Sequence, residues 1–175
     1  MDRAAVNIVG VGSTVMRDDG IGPAAIERLR ERGVPEGVCL HDAGLALSDV
    51  LTTLDPAAPL ILVDAVRAGG PAGSLYKLPL DPLASDADAG AGGMLSLHEL
   101  SVVPALRLEA LAGRAFADVT VFGVEPAEVA WGDKLSPAVA GAMDRLVDAV
   151  LNHAAAPRHH PGAACACTLA GDRSL

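Results

Sequence analysis

The run of residues 59–66 constrains the fold most, because it is apolar throughout except for Asp64. A strand of this composition must be covered on both faces, as strands are in the parallel sheets of α/β proteins. A similar apolar run at 5–11 predicts a second buried strand, and the apolar residues of 21–32 recur at helical spacing up to Gly33. Strands and helices that alternate in this way indicate right-handed parallel crossovers and therefore an α/β fold.

The remaining segments complete this pattern. Apolar runs bounded by turn residues predict further strands at 38–41, 74–78 and 118–124, the second of them a candidate antiparallel edge strand, and helices at 46–54 and 137–151. Ser136 is the expected N-cap of the last helix. Residues 79–93 form the longest irregular segment, and long loops in compact domains are commonly functional. Pro104 predicts that the following helix begins near it, which leaves His98 at the start of that helix.

Composition narrows the class of protein. The chain has 175 residues and 51% hydrophobic content, enough for one domain with an aliphatic core, which we expect at 1–153, followed by a tail at 154–175 that lacks periodicity. The formal net charge of −9 and the lack of a basic run disfavour a nucleic-acid partner. No apolar stretch has the length of a membrane span and no secretion signal is evident, so we expect a cytoplasmic protein without membrane association. We also expect it to be a monomer.

A glycine-rich loop with two acids follows the first strand. The Gly-x-Gly sequence suggests a dinucleotide-binding loop, but Val15 stands where the third glycine of that fingerprint is needed. Asp18 and Asp19 at the head of the next helix would also repel a phosphate. Two interpretations stay open for these acids: they cap the helix, or they contribute to a site.

Two other positions place polar groups near the same edge of the predicted sheet. Asp64 lies at the carboxyl end of the most apolar strand, where open α/β sheets bind ligands, although an acid there can also simply cap a loop. A histidine such as His98, taken alone, is more often an ordinary polar residue at a helix start than a ligand. Two carboxylates and an imidazole can together hold a borderline divalent cation and leave positions open for substrate, so an acid of the glycine-rich loop, Asp64 and His98 suggest a metal site. Asp42, after the second strand, is a candidate for orienting them.

Six collinear motifs between Asn7 and Ala149 resemble those of the hydrogenase maturation endopeptidases, which trim the C-terminus of a [NiFe]-hydrogenase large-subunit precursor. In chain order they are Gly-x-Gly followed by Asp-Asp-Gly-x-Gly, Asp-x-Gly, Ile-Leu-Val-Asp-Ala with a later Gly-Gly-x-x-Gly-x-x-Tyr, Ser-x-His-x-Leu, Phe-Gly-Val-Glu-Pro and Leu-Ser-Pro. The resemblance implies a three-layer α/β/α sandwich of the phosphorylase/hydrolase-like type, with a mixed sheet of about five strands. Ser13, where the family usually has Asn, and the Gly44-Leu45 pair depart from its pattern.

The same resemblance implies that Asp19, Asp64 and His98 contact nickel and carry catalysis, with Asp18 and Asp42 in support. The nickel would be supplied by the precursor, which is the implied partner. Two other functions stay open: a generic metal-dependent amidohydrolase or peptidase with a resident metal, and a non-enzymatic chaperone for nickel or for the precursor. The tail, which contains His159, His160, Cys165 and Cys167, would best serve the chaperone.

Overall fold

The computed structural model describes residues 6–81, 95–96 and 99–156, and its elements follow the predicted alternation of strands and helices. The strands are β1 (Val6–Val11), β2 (Val38–Gly44), β3 (Leu60–Arg67), β4 (Leu75–Leu80), β5 (Leu95–Ser96) and β6 (Val119–Val124). The helices are α1 (Ile21–Arg32), α2 (Leu47–Thr53), α3 (Glu99–Leu111), α4 (Pro137–Ala140) and α5 (Met143–Ala155), and a 3₁₀ turn spans Arg17–Gly20. Among these described elements, no helix is long and apolar enough to cross a membrane.

The strands form one mixed sheet in the order β2-β1-β3-β6-β4. The first four are parallel, and β4 runs antiparallel to β6, as the sequence predicted for this strand. The short β5 pairs antiparallel with the carboxyl end of β3, where Val66 lies opposite Ser96. The sequence analysis did not predict β5. The α/β fold with a mixed sheet of five main strands is confirmed.

Two apolar layers enclose the sheet because successive side chains of each strand point to opposite faces. On β3, Ile61, Val63 and Ala65 pack in the layer that contains α1, α4 and α5. Leu60, Leu62 and Val66 of the same strand pack in the layer with α2 and α3. This arrangement is the predicted three-layer sandwich, and it explains why β3 is apolar on both of its faces.

Helix boundaries agree with the sequence for α1 and differ for the later helices. Helix α1 has the predicted bounds and ends at Gly33, which adopts a positive φ of 75°. The prediction that the next helix begins near Pro104 is wrong: α3 begins at Glu99 and contains Pro104. A proline inside a helix removes only one N–H donor from the backbone ladder, so packing of the apolar residues around it can still favour the helix.

The last predicted helix is divided in two. Ser136 caps α4 as expected, because its side-chain oxygen accepts the backbone N–H of Val139. The backbone N–H of Ala142 donates to the carbonyl of Val139 at 3.0 Å, a tight turn that ends α4 before α5 begins. Helix α5 runs two residues past the expected boundary at 153, and Ala154 is buried in the core. The division into a domain and a tail stays a prediction, since residues 157–175 lie outside the described residues.

Candidate functional site

The glycines after β1 allow the loop of residues 12–22 to lie directly on the sheet. A Cβ atom on Gly22 would be 2.1 Å from the backbone oxygen of Val11 and 2.5 Å from that of Val63. Gly12 has a φ of 128°, and a Cβ there would overlap the backbone oxygen of Asp19. The motif that resembled a phosphate loop therefore serves close packing, which brings the 3₁₀ turn against the carboxyl ends of β1 and β3.

Asp19 lies on this turn with only 5% of its surface exposed. Its Oδ2 atom accepts the backbone N–H of Ser13 at 2.7 Å. That bond joins the two ends of the loop and fixes the carboxylate next to the sheet. Asp19 is thus a buried acid held by the glycine-rich loop.

Asp64 lies near the carboxyl end of β3 and has no exposed surface. Its Oδ1 atom accepts the backbone N–H of Ala65 at 2.7 Å. Strand β3 contacts the 3₁₀ turn, so Asp64 and Asp19 lie at the same edge of the sheet. A carboxylate away from water interacts strongly with a cation because the surroundings have a low dielectric constant.

Asp18 has a different role from its neighbour. Its carboxylate accepts three backbone N–H groups from the segment after β6: those of Ala127 and Glu128 at 2.9 Å and that of Ser136 at 2.6 Å. Burial by itself raises the pKa of Asp18, but these hydrogen bonds outweigh it and hold the pKa below its ordinary value. The alternative that Asp18 caps α1 is wrong, because α1 begins at Ile21 and its N-cap position, Gly20, has no side-chain cap. Asp18 anchors a distant loop.

Asp42 is exposed at the end of β2, and its Oδ1 atom accepts the N–H of Gly44 at 3.1 Å. It also lines a polar cleft of about 330 Å³ beside the 3₁₀ turn, together with Thr14, Arg17 and Gly20. The structure therefore gives Asp42 a local turn contact and a place in the cleft wall. Its suggested role in orienting the candidate ligands stays a prediction.

His98, the third candidate ligand, lies outside the described residues. The backbone on either side of it is described: Ser96 pairs with Val66, two residues beyond Asp64, and α3 begins at Glu99. Within residues 6–81, 95–96 and 99–156, no three His, Cys, Asp or Glu side chains are grouped so that they could hold a metal ion. The candidate metal site of Asp19, Asp64 and His98 stays a prediction.

The sequence analysis missed a further buried acid near this edge, Glu125, which directly follows β6. Its Oε2 atom accepts the N–H of Ala68 at 2.8 Å, the N–H of Gly70 at 3.3 Å and the hydroxyl of Tyr76 at 2.8 Å. Burial alone raises the pKa of Glu125, yet these bonds lower it below its ordinary value. Glu125 thereby ties the β3–β4 connection to β6. Its signal was present in the Phe-Gly-Val-Glu-Pro and Gly-Gly-x-x-Gly-x-x-Tyr motifs, which supply the acid and its partners.

Comparisons with known proteins agree on one family. A family model described as hydrogenase maturation protease, HycI, matches residues 23–153. The hydrogenase expression/formation protein HupD of Rhodobacter capsulatus is 33% identical over 141 residues, which cover 79% of this chain and 66% of that protein. The chain thus spans just under two thirds of the length of this relative.

Solved structures extend the comparison to the fold. A hydrogenase 2 maturation peptidase from Thaumarchaeota archaeon SCGC_AB-539-E09 has a TM-score of 0.66 and 29% identity, covering 86% of this chain and 98% of that one. The hydrogenase maturating endopeptidase HybD from E. coli has a TM-score of 0.71 at 23% identity, covering 85% and 91%, and shows the shared fold. Because the family model spans well over half of the sequence, the chain belongs to the hydrogenase maturation protease family.

Proposed function

We propose that this protein is an endopeptidase that removes the C-terminal extension of a nickel-loaded [NiFe]-hydrogenase large-subunit precursor. The observation that supports it best is the pair of buried carboxylates, Asp19 and Asp64, at the edge of the sheet where open α/β folds bind ligands. Membership of the maturation protease family supplies the reaction class. The name of the relative from Rhodobacter capsulatus connects that protein to hydrogenase formation.

The proposed site uses Asp19, Asp64 and His98 to contact nickel that the precursor carries. Two carboxylates and an imidazole leave a divalent cation incompletely coordinated, and cysteine thiolates of the precursor are the soft ligands that suit the remaining positions. Nickel in that position would supply Lewis-acid chemistry, either on the scissile carbonyl or on a water molecule. Both routes fit the proposal.

This chain's own residues supply position rather than a nucleophile. The cysteine among the described residues is Cys39, which is buried in β2. Asp19 is fixed by the N–H of Ser13, and Asp64 by that of Ala65, so both carboxylates are oriented before a substrate arrives. Groups that are already oriented lose little entropy on binding, which favours a fixed geometry for the scissile peptide.

The decisive experiment compares precursor produced with nickel and precursor produced without it. We expect this protein to cleave only the nickel-loaded form, measured by mass spectrometry as loss of the C-terminal peptide. Asp19→Asn and Asp64→Asn should each slow cleavage at least about a hundredfold, since metal polarisation of a carbonyl supplies several kcal/mol. His98→Ala should behave in the same way.

Asp144→Asn is the matched control, because Asp144 is an exposed acid that pairs with Arg28 on the outer surface of the helices. Its rate should equal that of the wild type. Equal cleavage of both precursor forms would instead favour a peptidase with a resident metal, and stoichiometric zinc in the purified protein would support that alternative.

The chaperone alternative makes a different prediction for the tail. Deletion of residues 157–175 should leave cleavage unchanged if the protein is a protease, whereas a chaperone that depends on the tail should lose nickel binding. The cytoplasmic location, the monomeric state and the requirement for nickel stay predictions.

A further inference from the structure

Arg17, which directly precedes Asp18 and Asp19, has an unusual backbone. Its φ is 50°, the one positive value at a non-glycine residue in the described ranges. Side chains other than that of glycine disfavour this left-handed region because of contacts between Cβ and the backbone. Strained backbone of this kind is common at functional sites. Glycine would adopt the same conformation without strain, so the fold does not require an arginine here.

The side chain of Arg17 is also held unfavourably. Its stem packs on Gly132, where an added Cβ would lie 2.9 Å from Cγ, and Nη1 pairs with Oε2 of Glu128 at 3.3 Å. The Nε–H group is buried and has no hydrogen-bond acceptor among the residues that the structure describes. A buried donor without an acceptor is costly, and native proteins keep few of them.

Arg17 forms part of the wall of the polar cleft beside the 3₁₀ turn. The other charged side chains of the cleft are Glu27, Arg30, Asp42 and Asp133. Two arginines facing three acids give no excess of positive charge, so the cleft does not favour an anion. A neutral acceptor such as a main-chain carbonyl oxygen fits this charge balance.

Apolar side chains lie next to the cleft. Trp131 is 82% exposed and Val15 is 49% exposed. The two are adjacent because the N–H of Gly132 donates to the carbonyl of Val15 at 3.0 Å, while Gly132 accepts the N–H of Arg17. Exposed tryptophan and arginine are the residue types enriched where proteins bind polypeptides. A polypeptide therefore matches this surface better than a small ion does.

We propose that Arg17 is a substrate-binding residue, whose guanidinium group donates hydrogen bonds to main-chain carbonyl oxygens of the precursor segment that lies in this cleft. The inference rests on the proposed function and adds a recognition residue that is separate from the candidate nickel-contacting set. The terminal NH₂ groups of the guanidinium would donate to the carbonyl, because the Nε–H is buried and the exposed 36% of the side chain lies elsewhere. The strained backbone then serves to direct the side chain to the cleft.

The test uses Arg17→Lys and Arg17→Gly, with Arg28→Lys as the matched control on the exposed surface of α1. Lysine keeps the charge but loses the planar set of donors, and glycine removes the side chain and the strain together. We expect KM for nickel-loaded precursor to rise about tenfold for both variants while kcat changes less than about twofold, the pattern of a lost binding contact. The melting temperature of Arg17→Gly should equal or exceed that of the wild type.

Three results would overturn the proposal: wild-type KM in both variants, a fall in kcat at constant KM, or a lower melting temperature for Arg17→Gly. The last would mean that Arg17 serves the fold. Affinity for immobilised nickel-loaded precursor, measured by biolayer interferometry, tests the binding role without cleavage. If the wild-type protein binds the precursor but does not cleave it, the proposed function fails, and loss of affinity in Arg17→Lys would still support this inference.

Discussion

Asp18 offers the sharpest test of how the region around the candidate site is held together. Its buried carboxylate accepts three backbone N–H groups, those of Ala127, Glu128 and Ser136. Asp18→Ala would leave all three donors without this acceptor. Each buried donor that loses its partner costs about 1–3 kcal/mol. With partial compensation by water, we expect the free energy of unfolding to fall by about 3–6 kcal/mol, a large part of the roughly 5–15 kcal/mol of a typical domain.

Asp18→Asn should be milder, because the amide oxygen can still accept the N–H groups of Ala127 and Glu128. Its NH₂ group would then face the N–H of Ser136, so one hydrogen bond is lost and two donors oppose each other. We expect a loss of about 2–3 kcal/mol.

Urea unfolding followed by circular dichroism at pH 7.5 measures both variants. Asp144→Asn, at an exposed ion pair, should change stability by less than about 1 kcal/mol. A loss of less than about 1 kcal/mol for Asp18→Ala would refute the anchoring role and the reasoning from its hydrogen bonds.

Two further predictions concern the same end of the sheet. Burial, and then the charge of Arg30, lower the pKa of His41 below its ordinary value, so the unfolded chain binds a proton more readily than the folded one. The free energy of unfolding should therefore not depend on His41 above about pH 6.5 and should decline as the pH falls below it. Urea unfolding at pH 7.5 and 5.5 should show a smaller decline for His41→Gln than for the wild type. An equal decline in the two proteins would contradict the prediction. Gly22→Ala should lower stability by more than about 3 kcal/mol, because its Cβ would lie 2.1 Å from a backbone oxygen of β1. Gly113 has a φ of 82° but open space where a Cβ would lie, so Gly113→Ala should lower the free energy of unfolding by only about 1 kcal/mol in the same assay. Similar losses of stability for the two variants would argue against close packing at Gly22.

The sequence predicted the parallel core of the fold well because the constraint there is local. An apolar strand such as β3 is buried only when other elements cover both of its faces. Helix α1 ends at Gly33, a residue that the sequence itself marks as a helix end. Local propensity predicted less well where tertiary packing decides. Pro104 indicated a helix start, but the helix includes it, and β5 is too short to have a periodic signal.

The candidate site shows the same division. Asp19 and Asp64 lie at one edge of the sheet because Asp19 follows β1 and Asp64 is near the carboxyl end of β3, positions that the apolar runs of the sequence display. The difference between Asp18 and Asp19 could not be predicted, since it depends on amide donors more than 100 residues away in the chain, such as that of Ser136. The conformation of Arg17 likewise depends on Gly132 and Glu128, which adjoin it only in the folded protein.

The antiparallel strand β4 ends the described sheet, and its sequence affects how copies of the protein behave when they are crowded together. A terminal strand offers unpaired backbone groups on which a strand of another molecule can add. Strand β4 carries Lys77, which is exposed, and Pro79, which has no N–H to donate. A charge and a proline on such a strand discourage β-pairing between molecules. Lys77 and Pro79 therefore disfavour aggregation through this edge of the sheet.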